Sequence, residues 1–153
     1  KVLKVNPADP ENKSLFEVIL DKTIFHPQGG GQPNDEGVIS CGDAKFKVED
    51  IKIKGTYISH FGKFESEESK FEENQEVDLK VNEELRRLYA RIHSAGHLID
   101  VAMIRVGFGH LKPGKGYHFE KGTYVEYIGN VEADKRDKLK EDLNAALKSL
   151  IEE

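Results

Sequence analysis

The spacing of apolar residues changes near Val81 and Asn82, and this change limits the possible folds more than any other feature of the sequence. Before it, short segments alternate apolar with polar residues, which is typical of half-buried strands. These segments cover residues 15–20, 38–39, 45–53, 56–60 and 76–81. Several short strands without a helix between them predict a small barrel or closed sheet.

The first helix is predicted to begin after Asn82. Asparagine is a good N-cap residue, and the acidic Glu83 and Glu84 suit the positive end of a helix. Apolar residues recur at helical spacing from there to Val106, and Gly107 ends the pattern. The sequence therefore predicts one long amphipathic helix in this segment.

The rest of the chain predicts one more strand and one more helix. Residues 123–128 alternate like a strand, and apolar residues recur at helical spacing from Asp134 onward. The predicted fold class is therefore α+β. A small β-barrel-like subdomain with a glycine-rich motif is expected at residues 1–81, and an α/β subdomain at residues 82–153.

Composition excludes several classes of protein. No apolar run approaches the roughly 20 residues that span a bilayer, so no membrane association is expected. With 37% hydrophobic and 33% charged residues, the chain can form a core and remain well solvated. The only cysteine, Cys41, cannot form an intrachain disulfide, which fits a reducing, cytoplasmic location.

Charge is unevenly distributed along the chain. The net charge of -5 argues against a broad nucleic-acid-binding surface. Acidic residues are concentrated at 65–76, where a loop is predicted over 66–74. Basic residues lie in and after the predicted first helix, at Arg86, Arg87, Arg91, Arg105, Lys112, Lys115 and Lys121. A local site for RNA phosphates and an ordinary solvated surface are equally compatible with this pattern.

His93 and His97 are the strongest candidates for a chemical role. They lie four residues apart in the predicted helix, so both imidazoles project from one face. That spacing allows two ring nitrogens to share a divalent ion, with zinc the first candidate. Ordinary surface or core histidines are the alternative. Ser94 stands where a zincin protease has its glutamate base, which disfavours a protease.

Three consecutive glycines, Gly29, Gly30 and Gly31, precede Gln32. Such a run suits a backbone that bends sharply or approaches a ligand closely, although a simple loop between two strands is the alternative. No Gly-Lys-Ser/Thr sequence follows, so the segment is not a P-loop.

Three motifs, in this order, resemble the longer form of the AlaX proteins. They are Thr-Ile-Phe-His-Pro-Gln-Gly-Gly-Gly-Gln-Pro-Asn-Asp-Glu-Gly at 23–37, His-Ser-Ala-Gly-His-Leu at 93–98, and Gly-Tyr-His-Phe at 116–119 with Tyr-Val-Glu-Tyr at 124–127. AlaX proteins are free-standing relatives of the editing domain of alanyl-tRNA synthetase, and threonyl-tRNA synthetase carries a related domain. The resemblance implies a cytoplasmic, zinc-containing hydrolase whose partner is tRNA(Ala) mischarged with serine or glycine.

The resemblance also implies which residues form the site. His93 and His97 would be zinc ligands. Gln32 matches a functional glutamine and would bond to the ester or ribose, while Thr23 matches a threonine that lines the pocket and would sense a serine hydroxyl.

The remaining candidates would contact substrate. They are the three glycines of the run, Lys115 in a basic loop expected at 112–116, and His118. A purely structural role for His118 is an equal alternative, because it stands at the expected start of a strand.

The sequence departs from the family pattern at the metal site. In AlaX proteins a Cys-x-x-x-His pair further toward the C terminus completes the zinc site. Here no histidine lies four residues after Cys41 and none follows His118, so half of the expected ligands are absent. Because the only methionine is Met103, the chain is expected to be a fragment.

Two other interpretations remain open. The chain could be a non-catalytic tRNA-binding module, which the incomplete ligand set favours, or a detached editing domain of a synthetase. The sequence leaves the oligomeric state open.

Overall fold

The computed structural model describes residues 1–66, 68 and 70–153. The predicted loop over 66–74 includes Glu67 and Ser69, which lie outside the described residues. The strands are β1 (Val2–Pro7), β2 (Phe16–Leu20), β3 (Gly37–Cys41), β4 (Ala44–Lys54), β5 (Tyr57–Phe64), β6 (Asp78–Val81), β7 (Lys112–Tyr117) and β8 (Tyr124–Ile128). The helices are α1 (Glu83–Arg105) and α2 (Arg136–Glu152), the second preceded by a short 3-10 turn.

Contacts divide the chain into two compact units. The first comprises Lys1–Gly29 and Pro33–Leu88, and the second comprises Gly30–Gln32 and Tyr89–Glu153. Helix α1 begins in the first unit and ends in the second. The predicted domains at 1–81 and 82–153 stay a prediction. None of the helices described here is both long and apolar enough to cross a membrane.

The first unit contains a six-stranded sheet in the order β1-β2-β5-β4-β3-β6, with neighbouring strands antiparallel. The α+β class is therefore confirmed, but the closed barrel is not, because β1 and β6 are edges of the sheet. Two backbone hydrogen bonds connect β1 to the segment just before β6: Val2 N donates to Gln75 O (2.9 Å) and Asn74 N donates to Val2 O (2.8 Å). Alternation predicts which face of a strand is buried, and that face is the same in open and closed sheets.

The core of the first unit follows the alternation within β4. Phe46 and Val48 are buried, and after a register shift between Val48 and Asp50 the buried position moves to Ile51. A bulge adds one residue to a strand and so reverses the alternation beyond it. Each such side chain contributes about 1.5–3 kcal/mol by leaving water.

Two of the strands were not predicted from the sequence. β1 lies outside the predicted segments, and residues 112–116 form most of β7 rather than a loop. In the second unit β7 pairs antiparallel with β8, with a register shift between Pro113 and Gly116. The shift accommodates a proline and glycines, which normally argue against a strand.

The predicted ends of helix α1 are confirmed. Asn82 Oδ1 accepts a hydrogen bond from Leu85 N (3.2 Å), as an N-cap does. At the other end Gly107 has φ +87°, Gly107 N donates to Ile104 O (3.1 Å), and Phe108 N donates to Met103 O (2.8 Å). These two bonds form a Schellman motif, which satisfies carbonyls in the last turn.

An ion pair between buried Asp35 and partly exposed Arg86 anchors the beginning of α1 within the first unit. Asp35 is 1% exposed and accepts hydrogen bonds from His26 N, from Arg86 Nε (2.9 Å) and from Arg86 Nη2. Arg86 Nη2 also donates to Ile24 O (2.6 Å). The hydrogen bond to Asp35 raises the pKa of Arg86, so the guanidinium stays charged.

Replacing Arg86 should therefore destabilise the first unit. Arg86→Ala leaves Asp35 buried without its cation, and we expect a loss of about 2–3 kcal/mol in urea denaturation. This is less than the roughly 3–5 kcal/mol of a fully buried pair, because the Arg86 side chain is partly exposed. The matched control is Arg87→Ala, whose bond to Glu83 is solvent-exposed and should matter little. Equal, small losses in both variants would show that the ion pair does not anchor α1.

Candidate functional site

His93 and His97 lie on one face of α1, in the part of the helix that belongs to the second unit. Their ring centroids are 5.0 Å apart, and the rings are nearly parallel at 28°. The two Nε2 atoms face each other at 3.2 Å. The side chains therefore converge at their outer nitrogens.

The inner nitrogen of each ring faces an oxygen. His93 Nδ1 lies 2.9 Å from Gln32 Oε1, and His97 Nδ1 lies 3.3 Å from Asp100 Oδ2. An amide oxygen and a carboxylate oxygen accept hydrogen bonds, so each Nδ1 carries the proton and donates it. In the neutral rings this leaves an unprotonated lone pair on each Nε2.

Two lone pairs that face each other can share a cation. Bonds of about 2.0–2.1 Å from a tetrahedral zinc to two histidine nitrogens would separate those nitrogens by about 3.3 Å. The observed separation of 3.2 Å fits this geometry. Within the described ranges, no group of three or more His, Cys, Asp or Glu side chains is placed to hold a metal ion. The pair thus fits two of four positions.

Asp100 is held in turn by Tyr127. The Tyr127 hydroxyl donates to Asp100 Oδ1 (2.6 Å), which leaves Oδ2 for His97. Burial, followed by this hydrogen bond, raises the pKa of Tyr127, so the phenol remains a donor. Neither residue was predicted from the sequence. The signal was present, since Asp100 follows His97 by three positions on the helix and so shares its face.

His118 is packed behind His93 rather than exposed to a ligand. It is 4% exposed, and its ring stacks on His93 with centroids 4.6 Å apart at 17°. A Cβ atom at Gly96 or Gly116 would lie closer than 3.0 Å to the His118 ring. Burial lowers the pKa of His118, and a positive charge on His93 or His97 would lower it further. Burial thus favours the neutral ring, and the contacts with His93, Gly96 and Gly116 fix its position.

The glycine run brings Gln32 to the histidine pair. Gly30 and Gly31 have φ of +57° and +80°, and a Cβ at Gly31 would collide with Gly116 O. Gly31 O also accepts a hydrogen bond from His118 N (2.8 Å). Only glycine combines such a conformation with such a close approach. At Gly29, by contrast, the nearest atom to an added Cβ would be Pro27 O at 3.9 Å.

The second unit therefore brings together Gln32, His93, His97 and His118, with Gly30 and Gly31 beside them. Lys115 is exposed on β7. Thr23 and Gly29 belong to the first unit.

Thr23 is hydrogen-bonded to a buried histidine of β5. His60 Nδ1 lies 3.0 Å from Val18 O, so it carries the proton, and Nε2 accepts from Thr23 Oγ1 at 2.8 Å. Thr23 Oγ1 accepts in turn from Phe25 N (3.1 Å). The hydroxyl is thus a donor to His60, and only one of its lone pairs remains for another partner.

Comparison with known proteins identifies the class. The sequence model of a family described as tRNA synthetases class II (A) matches residues 5–85, more than half of the chain. The chain belongs to this family. The matched residues include the glycine run but end before the histidine pair.

Individual relatives narrow the comparison and confirm the resemblance to AlaX-type alanyl-tRNA editing proteins. The alanyl-tRNA editing protein AlaX-L of Pyrococcus horikoshii is 39% identical over 61% of this chain and 22% of its own length. AlaX-M of the same organism is 32% identical over 89% of this chain and 59% of its own. An alanine–tRNA ligase of Methanosarcina acetivorans is 34% identical over 71% and 12%. The matched segment is thus less than two thirds of each relative.

The hydrogen-bond partners predict the proton positions on the two rings. In long-range proton–nitrogen NMR spectra of the neutral rings, we expect both His93 and His97 to carry the proton on Nδ1. In Gln32→Leu the His93 proton should no longer be confined to Nδ1, while the His97 proton should stay there. In Asp100→Ala the His97 proton should no longer be confined to Nδ1, while the His93 proton should stay there. A proton on His93 Nε2 in the unsubstituted chain would show that the Gln32 amide donates to Nδ1.

His60 predicts a pH dependence of stability. Its burial lowers its pKa, so the unfolded chain binds a proton more readily than the folded one. Stability is full above the ordinary histidine pKa of about 6.5. As the pH drops below that value, this group lowers the free energy of unfolding by at most about 1.4 kcal/mol per pH unit. The free energy of unfolding, measured by urea denaturation at several pH values between about 7.5 and 5.5, should fall less steeply with decreasing pH in His60→Gln than in the unsubstituted chain. Equal slopes would exclude His60 as the cause.

Proposed function

We propose that this chain carries the hydrolytic site of an alanyl-tRNA editing protein. The reaction would be hydrolysis of the ester that joins serine or glycine to mischarged tRNA(Ala). The convergence of the His93 and His97 Nε2 atoms at 3.2 Å, with both Nδ1 atoms facing acceptors, is the observation that carries the proposal. The names of the relatives, alanyl-tRNA editing proteins, support the same substrate class.

His93 and His97 would hold the zinc ion. When bound, zinc lowers the pKa of a water molecule or polarises a carbonyl oxygen. An aminoacyl ester is already reactive, so the protein needs chiefly to position the water and the ester and to favour the developing negative charge. Two histidine ligands fixed on one helix leave the other positions to water, substrate or further ligands.

Gln32 has two possible tasks in this proposal, and its geometry favours the first. Its amide oxygen orients His93, which is the usual task of a group hydrogen-bonded to a metal-binding histidine. Its amide nitrogen carries the donors that would bond to an ester or ribose oxygen. We therefore propose Gln32 as a positioning residue whose loss weakens metal binding.

Asp100 and Tyr127 would perform the corresponding task for His97. A carboxylate behind a ligating imidazole fixes the ring and increases its basicity, and Tyr127 holds that carboxylate in place. His118 is proposed as packing support for His93 rather than as a substrate contact, because it is buried.

The remaining candidates are proposed on the resemblance. Thr23 would sense the serine hydroxyl, and its bond to His60 means that it could only accept a hydrogen bond from that hydroxyl. Exposed Lys115 would meet RNA phosphate.

A non-catalytic tRNA-binding module is the second candidate. It is favoured by the finding that, among the described residues, no group of three or more His, Cys, Asp or Glu side chains could hold a metal ion. A detached editing domain of a synthetase would share the chemistry of the first proposal, so one experiment tests both.

Zinc affinity and deacylation should be measured together. His93→Ala should abolish stoichiometric zinc binding and hydrolysis of Ser-tRNA(Ala). Gln32→Ala should weaken zinc binding about 10- to 100-fold, with a matching loss of activity at limiting zinc. The matched control is Gln28→Ala, an exposed glutamine of the same motif, which should change neither.

The outcomes separate the candidates. Zinc binding and tRNA binding without hydrolysis would favour the non-catalytic module. Unchanged zinc affinity in Gln32→Ala, with reduced activity, would place Gln32 on the substrate instead. Full activity in His93→Ala would remove the histidine pair from the mechanism.

A further inference from the structure

Three aromatic rings form a parallel stack on the β7–β8 hairpin. Tyr117 and Phe119 have centroids 4.3 Å apart at 14°, and Tyr117 and Tyr124 have centroids 5.6 Å apart, also at 14°. Tyr117 and Tyr124 are register partners, so their side chains share one face of the hairpin. We call these three residues the aromatic platform.

The platform is not part of the core. Tyr117 is 37% exposed and Tyr124 is 46% exposed. Tyr127 of the same strand offers a contrast, since it is half-buried and bonded to Asp100. Aromatic pairs in protein cores commonly meet edge to face, as Phe16 and Phe64 do at 75°. Tyr117 stacks on both of the other rings, so the face that a flat ligand can use is on Tyr124, the most exposed ring of the stack.

Flat aromatic faces suit a flat aromatic ligand. Unpaired nucleobases stack on Tyr and Phe rings in proteins that bind single-stranded RNA, with little dependence on sequence. The aliphatic side chains of a protein partner would pack better into a groove than on stacked aromatic rings.

The local charge also suits a nucleic acid. Between Leu111 and Ile128 the chain has three lysines and two glutamates, a net charge of +1, whereas the whole chain carries -5. The charged residues of this segment are Lys112, Lys115, Lys121, Glu120 and Glu126. The hairpin is thus a weakly basic segment of an acidic chain, and its charge does not oppose the approach of an RNA strand.

The platform adjoins the histidine pair along the chain. His118 stands between Tyr117 and Phe119 and stacks on His93. Tyr117 is exposed while His118 is buried, as expected for successive residues that point to opposite sides. The platform and His118 are thus one residue apart in the chain but on opposite sides of the strand, so an RNA strand that uses both would pass around the edge of the hairpin.

We propose that the aromatic platform stacks an unpaired base of the tRNA 3′ end, upstream of the esterified nucleotide. This inference rests on the proposed function for the identity of the RNA. Tyr124 offers its exposed face to the base, and Tyr117, which stacks on Tyr124, holds that ring in place.

The test measures binding of a short single-stranded RNA that ends in CCA and carries no amino acid, by fluorescence anisotropy. Removing a stacking ring should weaken binding about 5- to 100-fold. Tyr117→Leu and Tyr124→Leu should both show this loss, while Tyr117→Phe should bind as the unsubstituted chain does. The matched control is Tyr57→Leu, which removes a 54% exposed tyrosine from β5 and should have no effect.

A fold check keeps the test decisive. Circular dichroism and the His93 and His97 NMR signals should be unchanged in Tyr124→Leu, so that a loss of affinity is not a loss of the hairpin. Because the chain has no tryptophan and five tyrosines, quenching of tyrosine fluorescence by the RNA gives a second readout. Tyr117→Phe should reduce that quenching without reducing affinity.

The outcomes are distinct from those of the proposed function. Unchanged affinity in both leucine variants would overturn the platform even if the chain hydrolyses Ser-tRNA(Ala). RNA binding that needs the platform, without hydrolysis, would support the platform and contradict the hydrolytic proposal. Failure of the unsubstituted chain to bind this RNA would overturn the platform and leave the face to a protein partner.

Discussion

The geometry of the histidine pair depends on which ring nitrogen of His93 and of His97 carries the proton. With the Gln32 and Asp100 oxygens at the inner nitrogens, the His93 and His97 protons are held on Nδ1 and the Nε2 lone pairs point at each other. A positive charge shared between the two nitrogens would relieve the repulsion between these lone pairs. The helix fixes the spacing of the two rings, and under the proposed function this spacing would suit a shared cation.

This arrangement requires unusually small residues around it. Gly96 lies in the middle of α1, where glycine costs about 1 kcal/mol relative to alanine, yet a Cβ there would collide with His118. A Cβ at Gly31 would collide with Gly116 O, and a Cβ at Gly116 would collide with the His118 ring. Gly96 costs helix stability but leaves room for the His118 ring. Gly31 lets the backbone approach Gly116, which places the Gln32 amide at His93.

The sequence predicted what depends on local spacing. Helix α1, its cap at Asn82 and the shared face of His93 and His97 follow from residues within a few positions of each other. Strand order, the open edges of the sheet and the Asp100–Tyr127 bond depend on contacts between distant segments, which a single sequence does not specify. β7 was missed because proline and glycine normally argue against a strand, and here a register shift accommodates them.

The position of Gln32 changes how the glycine motif is understood. Read as a sequence, a glycine run ending in glutamine suggests a backbone that cradles a ligand. In the structure Gly30–Gln32 packs with the second unit, and the amide oxygen of Gln32 meets the ring of His93, 61 residues further along the chain. The flexibility of the run thus serves first to place one amide group accurately. Any contact with the substrate then follows from the same placement, because the donors of that amide are fixed along with its oxygen.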